Sequence, residues 1–313
     1  MYTIKQPKKI LFGLNSCVDF KFPENTLLIT SKGAKKRGWI EYLNLKNYSH
    51  FDSVESNPSM DTVDEILSEF KQNFSAIIGL GGGSSLDVAK FIGYKMSKTK
   101  ILIPTTFGSG SEVTRISVLK VDGKKKSFHN DNLLSDISIV DPFFVKNTPI
   151  EIIRNSAIDA CAQCTEAFDS KISNIYTKFL CLKAFDILET AILEKNFDDL
   201  AYGAMLSGLG FGNSSTTLGH ALSYVFSNEG ISHGHALAFT TTIAHKFNNS
   251  QFYERFKSLV EKLDFPPIIL EQNPIEAARL IQLDRKHLDY NPKSVSNDEI
   301  INLLKLINSQ KVL

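Results

Sequence analysis

Over roughly the first 140 residues the chain alternates short apolar runs with amphipathic stretches, the pattern of an open sheet carrying helices on its faces. Leu27-Leu28-Ile29-Thr30, Ala76-Ile77-Ile78-Gly79-Leu80, Ile101-Leu102-Ile103 and Ser138-Ile139-Val140 are the predicted strands. Asp61 to Phe70 has helical spacing, with Asp61 as its expected cap. After Asp141-Pro142 the β-branched runs give way to long helical periodicity, as in Thr177 to Leu193 and Phe252 to Leu263. Asn291-Pro292-Lys293 then reads as a loop, and Ser296-Asn297-Asp298-Glu299 as the opening of a final capped helix. The pattern predicts an α/β domain with a mostly parallel sheet over residues 1–143 and an all-α domain over residues 144–313.

Composition agrees with two cores: 313 residues with 42% hydrophobic content are more than one core comfortably uses. Lys and Arg number 35 against 34 Asp and Glu, so no global field draws the chain to nucleic acid or anionic lipid. Neither partner is expected, and an anionic ligand has to be met locally. The start, Met1 to Lys9, has no apolar signal core, and no run is long enough to span a bilayer, so a cytoplasmic location is expected. Cys17, Cys161, Cys164 and Cys181 are too few for a disulfide framework. Cys161-Ala162-Gln163-Cys164 has the spacing of a redox pair or half a zinc site, but no second pair follows and the stretch is helical, which favours small apolar helix residues.

Three fragments carry chemistry. Gly81-Gly82-Gly83-Ser84 follows an apolar strand and opens the helical Asp87-Val88-Ala89-Lys90-Phe91, which aims freed backbone amides along a helix N-terminus and suits a pyrophosphate. It is not the usual G-x-G-x-x-G fingerprint. Thr105 to Thr114 again follows a strand and sets small hydroxyl residues between glycines, so it can complete a nucleotide cradle. Asp159 and Gln163 share one face of a predicted helix, and His220 and His233 flank a Gly230-Ile231-Ser232 turn able to fold them together. One carboxylate with two imidazoles suffices for a catalytic divalent site with an open position. His50, His129, His245 and His287 read as surface or satisfied core residues.

Together these fragments resemble the iron-containing, or group III, alcohol dehydrogenases. The family pattern GGGSxxDxAK is complete at Gly81 to Lys90, and PTTxGTGSEVT is matched at Pro104 to Thr114 with Ser109 replacing a threonine. Ile139-Val140-Asp141-Pro142, Asp159-Ala160 and Asn291-Pro292-Lys293 follow in family order, although the chain is shorter than typical members between His245 and Asn291. The resemblance implies a dehydroquinate synthase-like architecture, with an N-terminal dinucleotide-binding domain and a C-terminal metal-binding and substrate domain. It also implies hydride transfer between C4 of a nicotinamide and the carbonyl carbon of a small aldehyde, one divalent metal (Fe2+ or Zn2+), and a homodimer.

The same resemblance assigns residues. Asp159, His220 and His233 are the implied ligands, and Gln163, standing where a histidine is expected, is a fourth ligand or a prop. Tyr224 replaces a pocket histidine, and Tyr224 or His235 is implied in proton relay. Gln163, Tyr224, Thr216-Thr217 and His233-Gly234-His235-Ala236 resemble the phosphonoacetaldehyde reductase branch, from which Ser215 departs. That branch implies reduction of phosphonoacetaldehyde to 2-hydroxyethylphosphonate. The implied nucleotide residues are Ser31, Asn57, Gly82, Gly83, Ser84, Asp87, Lys90, Thr105, Thr106, Ser109, Ser111 and Lys125, the last read equally well as part of a solvated hairpin. Ser31 stands where many NAD users carry an aspartate, and Lys32, Lys35 and Lys36 lie nearby, so NADPH is expected, with NADH as an alternative. Arg115 and Lys178 are candidate partners for an anionic substrate head. The rival readings are a metal- and NAD-dependent sugar-phosphate cyclase or lyase of the dehydroquinate synthase type and a non-catalytic binding protein.

Overall fold

In the computed structural model, which describes residues 1–146 and 148–309, the first of two compact units is Met1–Pro149. Its strands are β1 (Lys9–Phe12), β2 (Thr26–Ile29), β3 (Tyr48–Phe51), β4 (Ala76–Gly81), β5 (Thr99–Pro104), β6 (Ile116–Val121), β7 (Lys124–His129) and β8 (Ile137–Val140). Six of them form one sheet in the order β1-β8-β5-β4-β2-β3, every pairing parallel. All residues of β2 and β4 are buried, which explains their unbroken apolar runs. The edge strands β1 and β3 are half exposed and carry lysine, serine and histidine, so hydrophobic patterning missed them. The remaining pair, β6 and β7, is an antiparallel hairpin.

Side-chain alternation divides the core. Leu27, Ile29, Ile77 and Leu102 pack on one face with Leu86 and Val88, while Leu28, Ile78, Leu80, Ile101 and Ile103 pack on the other with Trp39 and Phe144. Each such side chain contributes about 1.5–3 kcal/mol by leaving water. Phe144 belongs to this core and meets Trp39 edge-on at 5.7 Å, so the first unit runs through Pro149, past the expected boundary at residue 143. The helix expected at 61–70 spans Met60–Glu69, and its cap is Ser59, whose hydroxyl accepts from the Thr62 amide. Asp61 lies within the first turn, where its charge suits the helix dipole.

The second unit, Ile150–Leu313, holds helices joined by loops and no strand among its described residues. Helices Ile150–Asp169, Leu218–Asn228 and His233–Asn248 pack on one another. Gly234 permits the close approach of the last of these, because a Cβ there would strike the Asn155 backbone. Three helices, Tyr253–Lys262, Pro274–Gln282 and Arg285–Tyr290, occupy the stretch between His245 and Asn291. The last helix, Asn297–Asn308, has the expected capping box of Ser296 and Glu299. None of the described helices is long and apolar enough to cross a membrane.

Candidate metal and nucleotide sites

In the first unit the helix Gly83–Lys95 follows β4, and no side chain caps its N-terminus, which leaves its first amides for a ligand. Gly81 has φ +152°, and Thr105 N donates to its carbonyl at 2.9 Å, tying the second loop to the first. The loops touch closely: a Cβ on Gly82 would lie 3.1 Å from Thr106 Oγ1, and one on Gly83 would lie 3.0 Å from Ser109. Thr30 Oγ1 donates to Leu80 O at 2.7 Å, which sets Ser31 beside the same carboxyl end of the sheet. Carboxyl ends of parallel strands are where such sheets bind nucleotides.

Asp87, Lys90 and Ser111 serve this cradle from beneath. The fully buried Lys90 ammonium pairs with Asp87 at 3.0 Å and donates to the carbonyls of Ser111, at 3.0 Å, and Ile116. Asp87 also accepts from Ser111 Oγ at 2.6 Å and Val118 N at 2.9 Å. Three acceptors use all three Lys90 donors, so its side chain ties the helix that follows the first loop to the second loop and β6. Burial pushes Lys90 down while Asp87 and Glu112 oppose it, and burial lifts the neighbouring Glu112 to about 7. Lys125 lies on the exposed hairpin, in register with Lys120. Asn57 is left-handed, φ +54°, just before the Ser59 cap. Arg115 pairs with Asp131 at 2.8 Å.

The second unit gathers Asp159, His220 and His233. One Asp159 oxygen lies 3.6 Å from His220 Nε2 and 3.9 Å from His233 Nε2, and the three ligand atoms lie within 4.8 Å of one another. Glu166 turns His220: its Oε2 is 2.5 Å from Nδ1, leaving Nε2 for a metal. Glu166 also accepts from the amides of Thr217 at 3.1 Å and Gly219 at 2.5 Å, at the start of the helix that carries His220. Burial alone would push His220 down, but Glu166 and Asp159 raise it to about 9. Gln163 Nε2 donates to Asp159 at 3.0 Å, whereas its Oε1 is buried without a partner. A carboxylate, two imidazoles and an orphaned amide oxygen fit one divalent cation.

Tyr224, one turn after His220, reaches this cluster and lies parallel to His233 with ring centroids 6.3 Å apart. Burial and the nearby Asp284, Asp159 and Glu166 carboxylates raise its hydroxyl, so it stays a neutral donor. His235 is about 200° round the helix from His233. Its Nε2 donates to Pro266 O at 2.5 Å and its ring stacks on Phe265, so the structure turns this expected relay residue away from the ligand atoms. Lys178 lies over Phe168, nine residues along the helix from Asp159 and therefore roughly 14 Å away along its axis. It is not brought to the cluster. Cys161 and Cys164 are buried, and burial lifts Cys164 to about 12, which agrees with packing rather than redox use.

Sequence reasoning gave Glu166 and Asp284 no role and did not place Asn291 or His287 beside the cluster. Glu166 orients His220, and Asp284 holds His287 Nδ1 at 2.7 and 2.6 Å beside the His220 and Tyr224 rings. Asn291 is fully buried, exchanges amide hydrogen bonds with Asn248 at 2.8 Å and accepts from Leu218 N at 3.4 Å, bracing the His220 helix. The spacing of three between Asp284 and His287 was the available signal.

Comparison with known proteins agrees with this arrangement. Residues 7–142 match the family model for iron-containing alcohol dehydrogenase, and residues 153–282 match the model for the C-terminal part of that family. The 4-hydroxybutyrate dehydrogenase of Clostridium kluyveri is 31% identical over 235 residues, which cover 66% of this chain and 60% of that protein. The 1-propanol dehydrogenase of Salmonella typhimurium is 30% identical over 250 residues, covering 73% and 67% respectively. The chain thus spans about 60–67% of the length of these relatives. The fold matches the crystal structure of sulfoacetaldehyde reductase from Bifidobacterium kashiwanohense in complex with NAD+, with a TM-score of 0.89, 21% identity and 99% coverage of each chain. On these matches, and with the dehydroquinate synthase-like fold, the chain belongs to the iron-containing alcohol dehydrogenase family.

Proposed function

We propose that the protein is a metal-dependent, NAD(P)H-linked reductase of small aldehydes, running the reverse alcohol oxidation as well. The observation that carries this reading is the Asp159–His220–His233 cluster, with Glu166 fixing the tautomer of one imidazole. A bound divalent cation would supply Lewis acidity and a bound nicotinamide the hydride. The chain's own residues do the rest. The amides at the start of the Gly83–Lys95 helix seat the pyrophosphate, Lys90 and Asp87 keep both loops in place, and the neutral Tyr224 hydroxyl donates a hydrogen bond into the site.

NADPH is the proposed preference, because Ser31 offers no carboxylate to repel a 2′-phosphate. A cytoplasmic homodimer is the proposed setting. Phosphonoacetaldehyde is the narrower substrate reading, supported by Gln163 and Tyr224 in the site, while Arg115 and Lys178 are engaged elsewhere. Following nicotinamide absorbance with phosphonoacetaldehyde, short neutral aldehydes and added Fe2+ or Zn2+ tests the proposal. Metal-dependent oxidation of NADPH is expected, and no oxidation with any aldehyde refutes it.

A further inference from the structure

Four rings close a cycle beside the ligand cluster. His220 and His287 are parallel within 8° with centroids 6.2 Å apart, and His233 and Tyr224 are parallel within 14° at 6.3 Å. The pairs meet steeply, at 72° and 5.5 Å between the two ligand histidines and at 67° and 5.8 Å between Tyr224 and His287. Among the described residues, two corners of the cycle belong to the candidate ligand group, and the other two lie beside it.

His287 is built for a definite orientation. Asp284 caps the helix Arg285–Tyr290 and grips Nδ1 with both oxygens, at 2.7 and 2.6 Å, so Nε2 is the nitrogen left for another partner. The side chain is largely buried, at 12% exposure. Among the described residues the ligand group is Asp159, His220 and His233, so His287 borders the metal site without joining it. The imidazole is anchored beside the candidate ligand group, with the His220 and Tyr224 rings as its neighbours.

We propose that His287 is a substrate-contacting residue that selects aldehydes carrying an oxygen-bearing substituent on the carbon next to the reacting carbonyl. A hydroxyl substituent would donate to the Nε2 lone pair, whereas a phosphonate, which only accepts, would take a hydrogen bond from an Nε2–H. An alkyl chain of the same size leaves that nitrogen unpaired, the situation in which polar sites discriminate most strongly. Asp284 is the positioning residue behind it. This inference rests on the aldehyde reductase reading and names its substrate class.

The test compares glycolaldehyde, phosphonoacetaldehyde and propanal with NADPH in the wild type, His287→Phe, His287→Asn and Asp284→Asn. Co2+ affinity and the visible Co2+ spectrum are recorded for each protein. The wild type is expected to favour one or both oxygen-bearing aldehydes, the stronger arm identifying hydroxyl or phosphonate. In His287→Phe, efficiency with the favoured aldehyde should fall about tenfold or more beyond any change with propanal, mainly through KM. His287→Asn should restore part of it, and Co2+ affinity should hold. Equal wild-type efficiencies, equal losses on all three aldehydes, or a Co2+ spectrum and affinity altered by His287→Phe would each overturn the proposal. The last result would make His287 a ligand. A wild type that binds Co2+ yet reduces none of the aldehydes refutes the reductase reading itself and this inference with it.

Discussion

Glu166 Oε2 stands 2.5 Å from His220 Nδ1, and the same buried carboxylate gathers the Thr217 and Gly219 amides. One side chain therefore fixes both the ring of a candidate metal ligand and the start of the helix that carries it. Replacing Glu166 with Gln keeps the shape but weakens the hold on the imidazole. Metal affinity should fall about 10–100-fold, as for other supporting groups behind a ligating histidine. Chelator competition with Zn2+ or Co2+ measures this, and unchanged affinity would leave Glu166 a helix cap only.

The same pair predicts a pH effect in the metal-free protein. Burial opposes the His220 charge, but Glu166 and Asp159 prevail and raise it to about 9, above an unfolded value near 6.5. A raised value binds an extra proton in the folded state, so this contribution is complete below about pH 6.5 and is lost as pH rises through about 9. The loss is up to roughly 3 kcal/mol. Glu112, lifted to about 7 by burial, adds a loss of the same sign that begins at lower pH. Urea melts at pH 6.5 and pH 9 should show the decline in the wild type and a smaller one in Glu166→Gln. Saturating metal, which competes with the proton, should flatten it.

Lys90→Met should destabilise the first unit by about 3–5 kcal/mol, because Asp87 keeps its buried charge without its partner. The loops would then separate at their base, so nucleotide affinity should fall together with the thermal midpoint. If a lysine so placed instead touched nucleotide directly, affinity would fall while the midpoint held. Thermal melts beside NADPH titrations distinguish the two.

The central strands and the long helices were legible because their burial is continuous or strictly periodic, as in β4 and the helix Ile175–Glu194. The edge strands β1 and β3 were not, since half-exposed four-residue strands carry no apolar run. In the site, Asp159, His220 and His233 could be found by type and spacing, whereas Glu166 and His287 acquire their roles only through packing. Glu166 lies 54 residues before its imidazole partner, and His287 approaches His220 from a separate short helix. Lys90 was plain from its motif, but only burial reveals that its donors are spent on carbonyls and Asp87.

Ser31→Asp tests the cofactor argument. A carboxylate at the end of β2 would repel a 2′-phosphate and accept from a ribose hydroxyl, so the ratio of NADPH to NADH efficiency should drop about tenfold or more. A ratio unmoved by the substitution would show that Ser31 does not face the adenosine ribose.

The central claim is that the Asp159–His220–His233 cluster holds the metal on which aldehyde reduction depends. The direct measurement is metal content by elemental analysis beside NADPH oxidation, for the wild type and Asp159→Ala, before and after chelation and metal return. One divalent ion per chain, with turnover lost on chelation, restored by Fe2+ or Zn2+, and absent along with the metal in Asp159→Ala, is the predicted result. Full turnover in the chelated protein or in Asp159→Ala would contradict it.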